Sequence, residues 1–229
     1  FTSVLPAEEQ TMAEAFKARG YATGGFSANF IGDPRYGYGQ GFDSFALVAP
    51  KDGHGAKGRA EQINTAGLAW LDSLPAGATA PPVFLYLHYM EPHIPYHPPS
   101  SILQQIVSRR GQTAERLLGV RRTQEKIDEM IAALNNPAPD LGAHQPPGPG
   151  AHPLFNDETL ANIEDLYDAE VASLDAQLAE LFGQLQGRGR LTNALVVVTA
   201  DHGEEFLEHG LFGHGQTLYN EVLHVPLLM

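Results

Sequence analysis

Apolar runs of strand length alternate with longer amphipathic stretches along this chain. The runs at 83–89 and 194–200 are rich in valine, leucine and aromatic residues, which is typical of strands buried on both faces of a parallel sheet. A further strand is predicted at 21–27, and another apolar run closes the chain at 225–229. We expect 83–89 and 195–200 to be strands of one parallel sheet.

Helical periodicity fills the segments between these runs. Apolar residues at three- and four-residue spacing predict helices over 8–19 and 59–74, and a long helix that is capped at 156–157 and runs to about Leu185. The segment 101–134 is polar and helix-prone. Strands that alternate with helices indicate an α/β fold, with a mainly parallel sheet flanked by helices.

The remaining segments are assigned to loops or to solvent-facing surface. Residues 51–57 are predicted to form a loop, and 135–153, rich in Pro, Gly and Ala, a mobile one. A basic cluster within 101–134 could contact an anionic substrate, although a solvated helix face is the favoured interpretation. Its members are Arg109, Arg110, Arg116, Arg121 and Arg122.

The run at 194–200 ends abruptly on Asp201, His202 and Gly203. In open α/β sheets, ligands bind just past the carboxyl ends of the strands. A carboxylate and an adjacent imidazole can both ligate a divalent cation, and a glycine lets the backbone turn away without a Cβ. The alternative for this tripeptide alone is a turn or helix cap with an exposed histidine. Further Glu, His and Gly residues follow, among them His214 between two glycines.

A second polar cluster follows the run at 83–89. Three histidines, His88, His93 and His97, lie in a short stretch stiffened by prolines. Imidazole can hold a sulfate or phosphate oxygen, or protonate a leaving alkoxide, near neutral pH. The alternative is a proline-rich loop with incidental histidines, which we prefer for His97. His88 stands between the two interpretations, because a strand histidine can be buried and hydrogen-bonded.

Composition narrows the possible partners. The 229 residues include 14 Lys and Arg but 27 Asp and Glu, a net charge of −13, which argues against nucleic acid as a partner. Without cysteine, disulfides and Cys-based zinc sites are excluded. No run is long and apolar enough to span a bilayer. Because the sequence starts at Phe1 and stops within an apparent strand, we expect it to be a fragment, incomplete at both ends.

Several stretches resemble the sulfatases, a family of the alkaline phosphatase superfamily. VVVTADHGEEFLEHGLFGHGQTLYNEVLHVPLL is similar to their late signature in both order and spacing. TMAEAFKARGYATGGFSANFIGDPRYGYGQGFDSF resembles a segment in which a helix leads to a sheet strand and then to a loop ending in Gly-Phe-Asp. His93 precedes Ile-Pro-Tyr as in a further sulfatase motif, and YDAEVASLDAQLAELF resembles the helix before the Asp-His-Gly strand.

The resemblance implies roles for five positions. Asp201 and His202 would be metal ligands, and His93 and His214 catalytic residues. His88, His93 and His214 would contact the substrate. Many sulfatases carry a lysine where this chain has His214, and a protonated imidazole could replace its charge at the bridging ester oxygen. The alternatives for His214 are a ligand to a second metal and a loop residue that touches nothing.

The resemblance also implies a reaction and its setting. It implies a metal-dependent hydrolase of sulfate esters, with a small molecule or a glycan as substrate. One divalent cation is expected, with calcium favoured over magnesium, manganese or zinc. The location would be extracytoplasmic. The alternatives are a phosphoryl-transfer enzyme of the same superfamily (a phosphodiesterase, a phosphatase or a phosphoethanolamine transferase) and a non-catalytic scaffold.

Two parts of the sulfatase pattern are missing from these residues. No Cys/Ser-x-Pro-x-Arg nucleophile motif occurs, and no strand ends in the acidic pair that completes the metal site. We therefore expect residues 1–229 to be a partial catalytic domain with a helical and loop insertion around 100–156. As given, it should lack turnover and bind calcium weakly, because a hard cation wants six or more oxygen ligands.

Overall fold

The computed structural model describes residues 4–29, 32–48, 59–77, 80–110, 114–135 and 156–229. The loops predicted at 51–57 and 135–153 lie outside these residues, apart from residue 135 itself. The chain divides into two compact units, Phe1–Ile94 with Leu174–Leu181, and Pro95–Ser173 with Phe182–Met229. Within the described part, no helix is both long and apolar enough to cross a membrane.

The first unit is built on a parallel three-stranded sheet. Strand β1 (Ala22–Ser27) lies in the centre, with β2 (Ser44–Leu47) and β3 (Val83–His88) on either side. Both pairings are parallel, and β1 and β3 pair along their whole lengths, from Ala22 opposite Val83 to Ser27 opposite His88. The strands predicted at 21–27 and 83–89 are confirmed.

Helices α1 (Met12–Lys17) and α2 (Ala60–Ser73) accompany this sheet. Helix α1 is shorter than the predicted 8–19, because the Thr11 hydroxyl accepts from the backbone of Glu14 while the Glu14 carboxylate accepts from the backbone of Thr11. This capping box starts the helix at Met12. Helix α2 matches its predicted range to one residue at each end, and its Ile63 is completely buried in a cluster with Phe26 of β1 and Ala28, which directly follows β1.

The segment between β1 and β2 owes its shape to local hydrogen bonds. The Asp33 carboxylate caps a 3-10 turn at Pro34–Tyr36. The Gly-Phe-Asp motif follows. Its Asp43 accepts hydrogen bonds from the backbone and hydroxyl of Thr23 on β1 and pairs with Lys17 at 2.8 Å. These bonds hold the pKa of Asp43 below its ordinary value, first through Lys17 and then through Thr23. Asp43 therefore fastens this segment to β1.

The second unit contains most of the helices. Helices α3 (Ser100–Arg109) and α4 (Ala114–Asn135) occupy the region in which an insertion was predicted, and its extent remains a prediction. Helix α5 (Asp157–Gly187) is capped by Asn156 as predicted, and its middle segment belongs to the first unit. Helix α6 (Asn220–Leu223) is one short turn near the end.

Two arginines of the basic cluster are ion-paired within the second unit. The Asp165 carboxylate on α5 is fully buried, and Arg110 and Arg116 approach it at 3.0 and 2.9 Å. Arg110 also pairs with the more exposed Asp168 at 2.6 Å. A buried carboxylate needs such partners, since an isolated charge is costly away from water. These two arginines join α3 and α4 to α5 instead of facing solvent alone.

The strands of the second unit are short. Strand β4 (Val198–Thr199) pairs antiparallel with β7 (Leu227–Leu228), and β5 (Glu205–Phe206) pairs antiparallel with β6 (Phe212–Gly213).

The prediction that 195–200 joins 83–89 in one parallel sheet is therefore wrong. Only Val198 and Thr199 of the run 194–200 form a strand, and their partner β7 runs in the opposite direction. Leu195 is 79% exposed and Val197 is 51% exposed, so the run is not buried on both faces. Apolar, β-branched residues favour extended backbone, but a ladder also needs a neighbouring strand along its length. Among the described residues, nothing supplies one for 194–197.

Candidate functional site

The Asp-His-Gly tripeptide follows β4 after one residue, Ala200, and is held against α6. The backbone N–H of Gly203 donates to the carbonyl of Val222 at 2.7 Å. A Cβ at Gly203 would lie only 2.0 Å from the carbonyl oxygen of Glu221, so no other residue fits here without a shift of the backbone. Close approach, and not a left-handed backbone, is therefore the reason for glycine at this position.

Asp201 and His202 place two atoms that could ligate a metal near each other. The Nδ1 of His202 donates to the carbonyl of Gly203 at 2.8 Å, which leaves Nε2 as the nitrogen with a lone pair. That Nε2 lies 3.8 Å from Oδ1 of Asp201, whose side chain is 80% exposed. A hydrogen bond from the second ring nitrogen to a carbonyl is the usual way in which a metal-binding histidine is oriented.

The β5–β6 hairpin brings His214 against His202. Gly213 and Gly215 have φ values of +94° and +83°, so the backbone bends on both sides of the histidine as the sequence predicts. The two imidazole rings stack with centroids 3.8 Å apart and planes 26° apart. Of the predicted site residues, the structure thus brings His202 and His214 into contact, with Asp201 adjacent.

Glu204 forms a hydrogen bond with the Nδ1 edge of the His214 ring. Its Oε1 lies 2.8 Å from Nδ1 of His214, and its side chain is only 6% exposed. This hydrogen bond raises the pKa of His214 above its ordinary value, while partial burial of the ring acts in the opposite direction. The sequence marks Glu204 only as one of several acidic residues after Gly203, because nothing in its spacing distinguishes it from Glu205 or Glu208.

A buried aromatic group lies behind Glu204. Tyr96 is 1% exposed, and its ring meets that of Tyr167 edge-on at 6.1 Å. Tyr167 in turn meets Phe206 of β5 at 5.1 Å. Burial first, and then the charge of Glu204, raise the pKa of Tyr96. The Tyr96 hydroxyl has no well-aligned hydrogen-bond partner among the described residues, although it lies close to the Glu204 carboxylate.

The other acidic and histidine residues of this segment have structural partners. Glu205 is buried and accepts from the Thr217 hydroxyl at 2.7 Å and from the backbone of His209 at 3.2 Å. His209 stacks on Tyr219 and contacts the Glu221 carboxylate at 3.2 Å. These contacts fasten the hairpin to α6. Glu205 and His209 therefore have structural roles, whereas Glu204 contacts His214.

The histidines at the end of β3 and just beyond it form hydrogen bonds with different partners. His88 ends β3, where its Nδ1 meets the Ser27 hydroxyl at 2.9 Å, and the Nδ1 of His93 donates to the carbonyl of Ile94. Both belong to the first unit, whereas Asp201, His202 and His214 belong to the second. The expectation that His88 and His93 converge with them on one substrate stays a prediction.

His97, to which the sequence assigns no function, is engaged within the second unit. Its backbone N–H donates to the buried Glu170 carboxylate, and its Nδ1 accepts from Gln124 at 2.8 Å.

The donor set at Asp201 and His202 fits part of a divalent cation site. In the described ranges, no group of three or more His, Asp and Glu residues could enclose a metal ion. One carboxylate and one oriented imidazole are suitable ligands, but a calcium site takes six to eight oxygens. Further ligands are therefore needed beyond this pair.

Comparison with known proteins agrees with the sequence resemblance. The family model described as Sulfatase matches residues 2–229. Arylsulfatase K of Canis lupus familiaris and that of Bos taurus are each 37% identical over 75 residues, which is 33% of this chain and 14% of theirs. The chain thus aligns with only a small part of these relatives.

Solved structures share the fold at low identity. A protein solved in complex with its substrate, D-glucosamine-2-N,6-O-disulfate, has a TM-score of 0.65 at 17% identity, over 99% of this chain and 56% of that one. The C-terminal periplasmic domain of EcEptC from Escherichia coli, in complex with Zn, has a TM-score of 0.59 at 16% identity, over 96% and 51%. A phosphonate monoester hydrolase from Silicibacter pomeroyi has a TM-score of 0.55 at 18% identity, over 98% and 53%. With the family model spanning nearly all 229 residues, the chain belongs to the sulfatase family of the alkaline phosphatase superfamily.

Proposed function

We propose that this chain is part of a metal-dependent sulfatase that hydrolyses sulfate esters. The observation that carries the proposal is the contact between His202 and His214, 3.8 Å apart, beside the exposed carboxylate of Asp201. In this proposal Asp201 and His202 hold a cation, and His214 contacts a substrate oxygen. Family membership supplies the reaction class.

The proposed roles follow from the chemistry of each side chain. Asp201 and His202 hold a divalent cation, calcium by preference, with magnesium, manganese and zinc as alternatives. That cation would polarise a sulfate oxygen as a Lewis acid. His214 donates to the bridging ester oxygen as negative charge develops on it when the S–O bond breaks. His93 and His88 complete the substrate contacts, with His93 able to protonate the leaving alkoxide.

The substrate class is proposed to be a small-molecule or glycan sulfate ester. A structural neighbour was solved with a disulfated glucosamine as its substrate, which supports a sugar sulfate here. The net charge of −13 argues against nucleic acid as a partner. We further propose an extracytoplasmic location. Because no Cys/Ser-x-Pro-x-Arg motif occurs in the 229 residues, we propose that the chain by itself has no turnover.

The test replaces His214 by alanine in the whole protein, with sulfate ester hydrolysis and metal content measured together. We expect kcat to fall by roughly a hundredfold or more, since removal of one transition-state donor costs that much, while bound metal is unchanged. His97→Ala is the matched control, because His97 interacts within the helical part and should leave kcat unchanged. A His214→Ala protein with undiminished kcat would refute the assignment.

A second candidate function is phosphoryl transfer with two metals. The stacking of His214 on His202 favours it, because both imidazoles could then serve neighbouring cations. Against it stands the number of ligands, since a second metal needs several more carboxylates or histidines and the described residues show no such group. Loss of one metal equivalent in His214→Ala, with hydrolysis of phosphate esters by the unmodified protein, would select this alternative.

A further inference from the structure

Glu204 occupies a position with no role in the proposed reaction, yet its side chain is buried against the key imidazole. Its carboxylate oxygen Oε1 lies 2.8 Å from Nδ1 of His214 and its side chain is 6% exposed. An ionised carboxylate can only accept, so Nδ1 must be the donor. A substrate that contacts the His214 ring through a nitrogen can then do so only through Nε2.

We propose that Glu204 is a positioning residue, which fixes the orientation of the His214 ring and makes Nε2 the nitrogen that meets the substrate. This inference rests on the proposed function in one respect, the contact between His214 and the ester oxygen. The hydrogen bond itself, and the ring orientation that it imposes, can be tested without any activity.

The backbone and the stacking contact do not fix the ring orientation by themselves. His214 stands between two glycines with positive φ, which leave the hairpin little steric control over the side chain. Stacking on His202 defines the plane of the ring, but a half-turn about χ2 exchanges the two edges and keeps the same plane. A polar contact at one nitrogen is required to distinguish the two states, and Glu204 provides it.

The group behind Glu204 supports the same role. Tyr96 is almost completely buried, and Tyr167 packs edge-on against its ring. A buried hydroxyl without a good partner is destabilising, so its retention beside a carboxylate requires an explanation. In the proposal, Tyr96 confines the Glu204 carboxylate and keeps it directed at Nδ1 of His214.

The direct test reads the tautomer of His214 by the ¹⁵N shifts of its ring, at a pH where the imidazole is neutral. Glu204→Gln keeps an acceptor oxygen, and Glu204→Leu removes it at similar size. We expect the Nδ1–H tautomer in the unmodified chain and in Glu204→Gln, and a shift toward Nε2–H in Glu204→Leu. His202 is the internal control, since its Nδ1 donates to the backbone carbonyl of Gly203, which none of these substitutions removes. An unchanged His214 tautomer in a folded Glu204→Leu chain overturns the inference.

Activity of the whole protein gives the second readout. Loss of an orienting partner behind a site residue typically costs ~10–100-fold. We therefore expect Glu204→Leu to lower kcat by that factor with little change in KM or metal content, and Glu204→Gln to restore most of it. If His214→Ala keeps full activity, the proposed function fails while the tautomer experiment still decides the role of Glu204.

Tyr96→Phe guards against a Glu204 variant that does not fold. It deletes only the hydroxyl, and we expect the His214 tautomer to be retained and kcat to fall by less than in Glu204→Leu. A kcat equal to that of the unmodified protein removes Tyr96 from the proposal. A His214 ring that is already Nε2–H in both Tyr96→Phe and the unmodified chain overturns the inference as a whole.

Discussion

Residues 83–88 and 194–199, VFLYLH and ALVVVT, are both apolar runs of strand length, but they differ in structure. The first segment forms β3 along its whole length, paired in parallel with β1. Its Leu85 and Leu87 pack against the cluster around Phe26. The second segment forms only the two-residue strand β4, and Leu195 is 79% exposed. An apolar run therefore favours extended backbone, but neighbouring strands and a covering helix decide whether a sheet forms.

The two regions also end differently. Strand β3 ends on His88, which is tied to Ser27 of the neighbouring strand. Strand β4 ends at Thr199 and leads, through Ala200, to Asp201, whose carboxylate is exposed, and then to a hairpin whose shape depends on glycines. The first region is held by its core and the second by close backbone contacts and polar pairs. Mutations in the two regions should therefore have different costs.

The largest expected effect is in the three-stranded sheet that contains 83–88. Phe26 lies on the central strand and is 5% exposed, so Phe26→Ala should lower the free energy of unfolding by about 3–5 kcal/mol. Leu195→Ala, in the exposed run, should change it by less than about 0.5 kcal/mol. Urea unfolding of both variants measures the difference. Equal costs would show that the run 194–200 is buried after all, and would remove the contrast.

The next effect lies at the start of the loop after β4. Gly203→Ala places a methyl group 2.0 Å from the carbonyl oxygen of Glu221, and the backbone must shift to admit it. Overpacking of this kind costs about 1–3 kcal/mol. Gly183→Ala in α5 is the control, because its Cβ meets nothing within 4 Å and should stabilise the helix by about 0.5–1 kcal/mol. A Gly203→Ala chain as stable as the parent would mean that the α6 turn does not hold this loop.

Local patterns predicted much of the fold. Helical spacing and caps located α2 and α5, and apolar runs located β1 and β3. The partner of β4 could not be predicted, because antiparallel pairing with β7 depends on a contact across the chain that no local pattern encodes. The capping box of Thr11 and Glu14 is visible in the sequence, and it starts α1 at Met12 instead of residue 8.

The candidate site was predicted in part for a similar reason. The sequence marked Asp201, His202 and His214 because strand ends and paired glycines have local signatures. It did not mark Glu204 or Tyr96, since their importance comes from burial beside His214. Tyr96 had one signal, its place in Ile-Pro-Tyr three residues after His93, and that motif directed attention to the histidine alone.

The smallest expected effect compares two aspartates of the family motifs, Asp43 of Gly-Phe-Asp in the first unit and Asp201 of Asp-His-Gly in the second. Asp43 is bonded to Lys17 and Thr23 and has a depressed pKa, whereas Asp201 is exposed. Because the folded pKa lies below the unfolded value of 3.8, the stability that Asp43 contributes is present above that pH and is lost as the pH falls through the folded pKa.

Asp43→Asn should therefore lower the free energy of unfolding by about 1 kcal/mol at neutral pH, because solvent screens the partly exposed pair with Lys17. The variant should also lose less stability than the parent on acidification. Asp201→Asn should leave stability within about 0.5 kcal/mol, because the Asp201 side chain is exposed. Urea unfolding at a series of acidic pH values separates the two variants. If Asp201→Asn cost as much stability as Asp43→Asn, Asp201 would hold the fold as Asp43 does, and the assignment of Asp201 to ligand binding would fail.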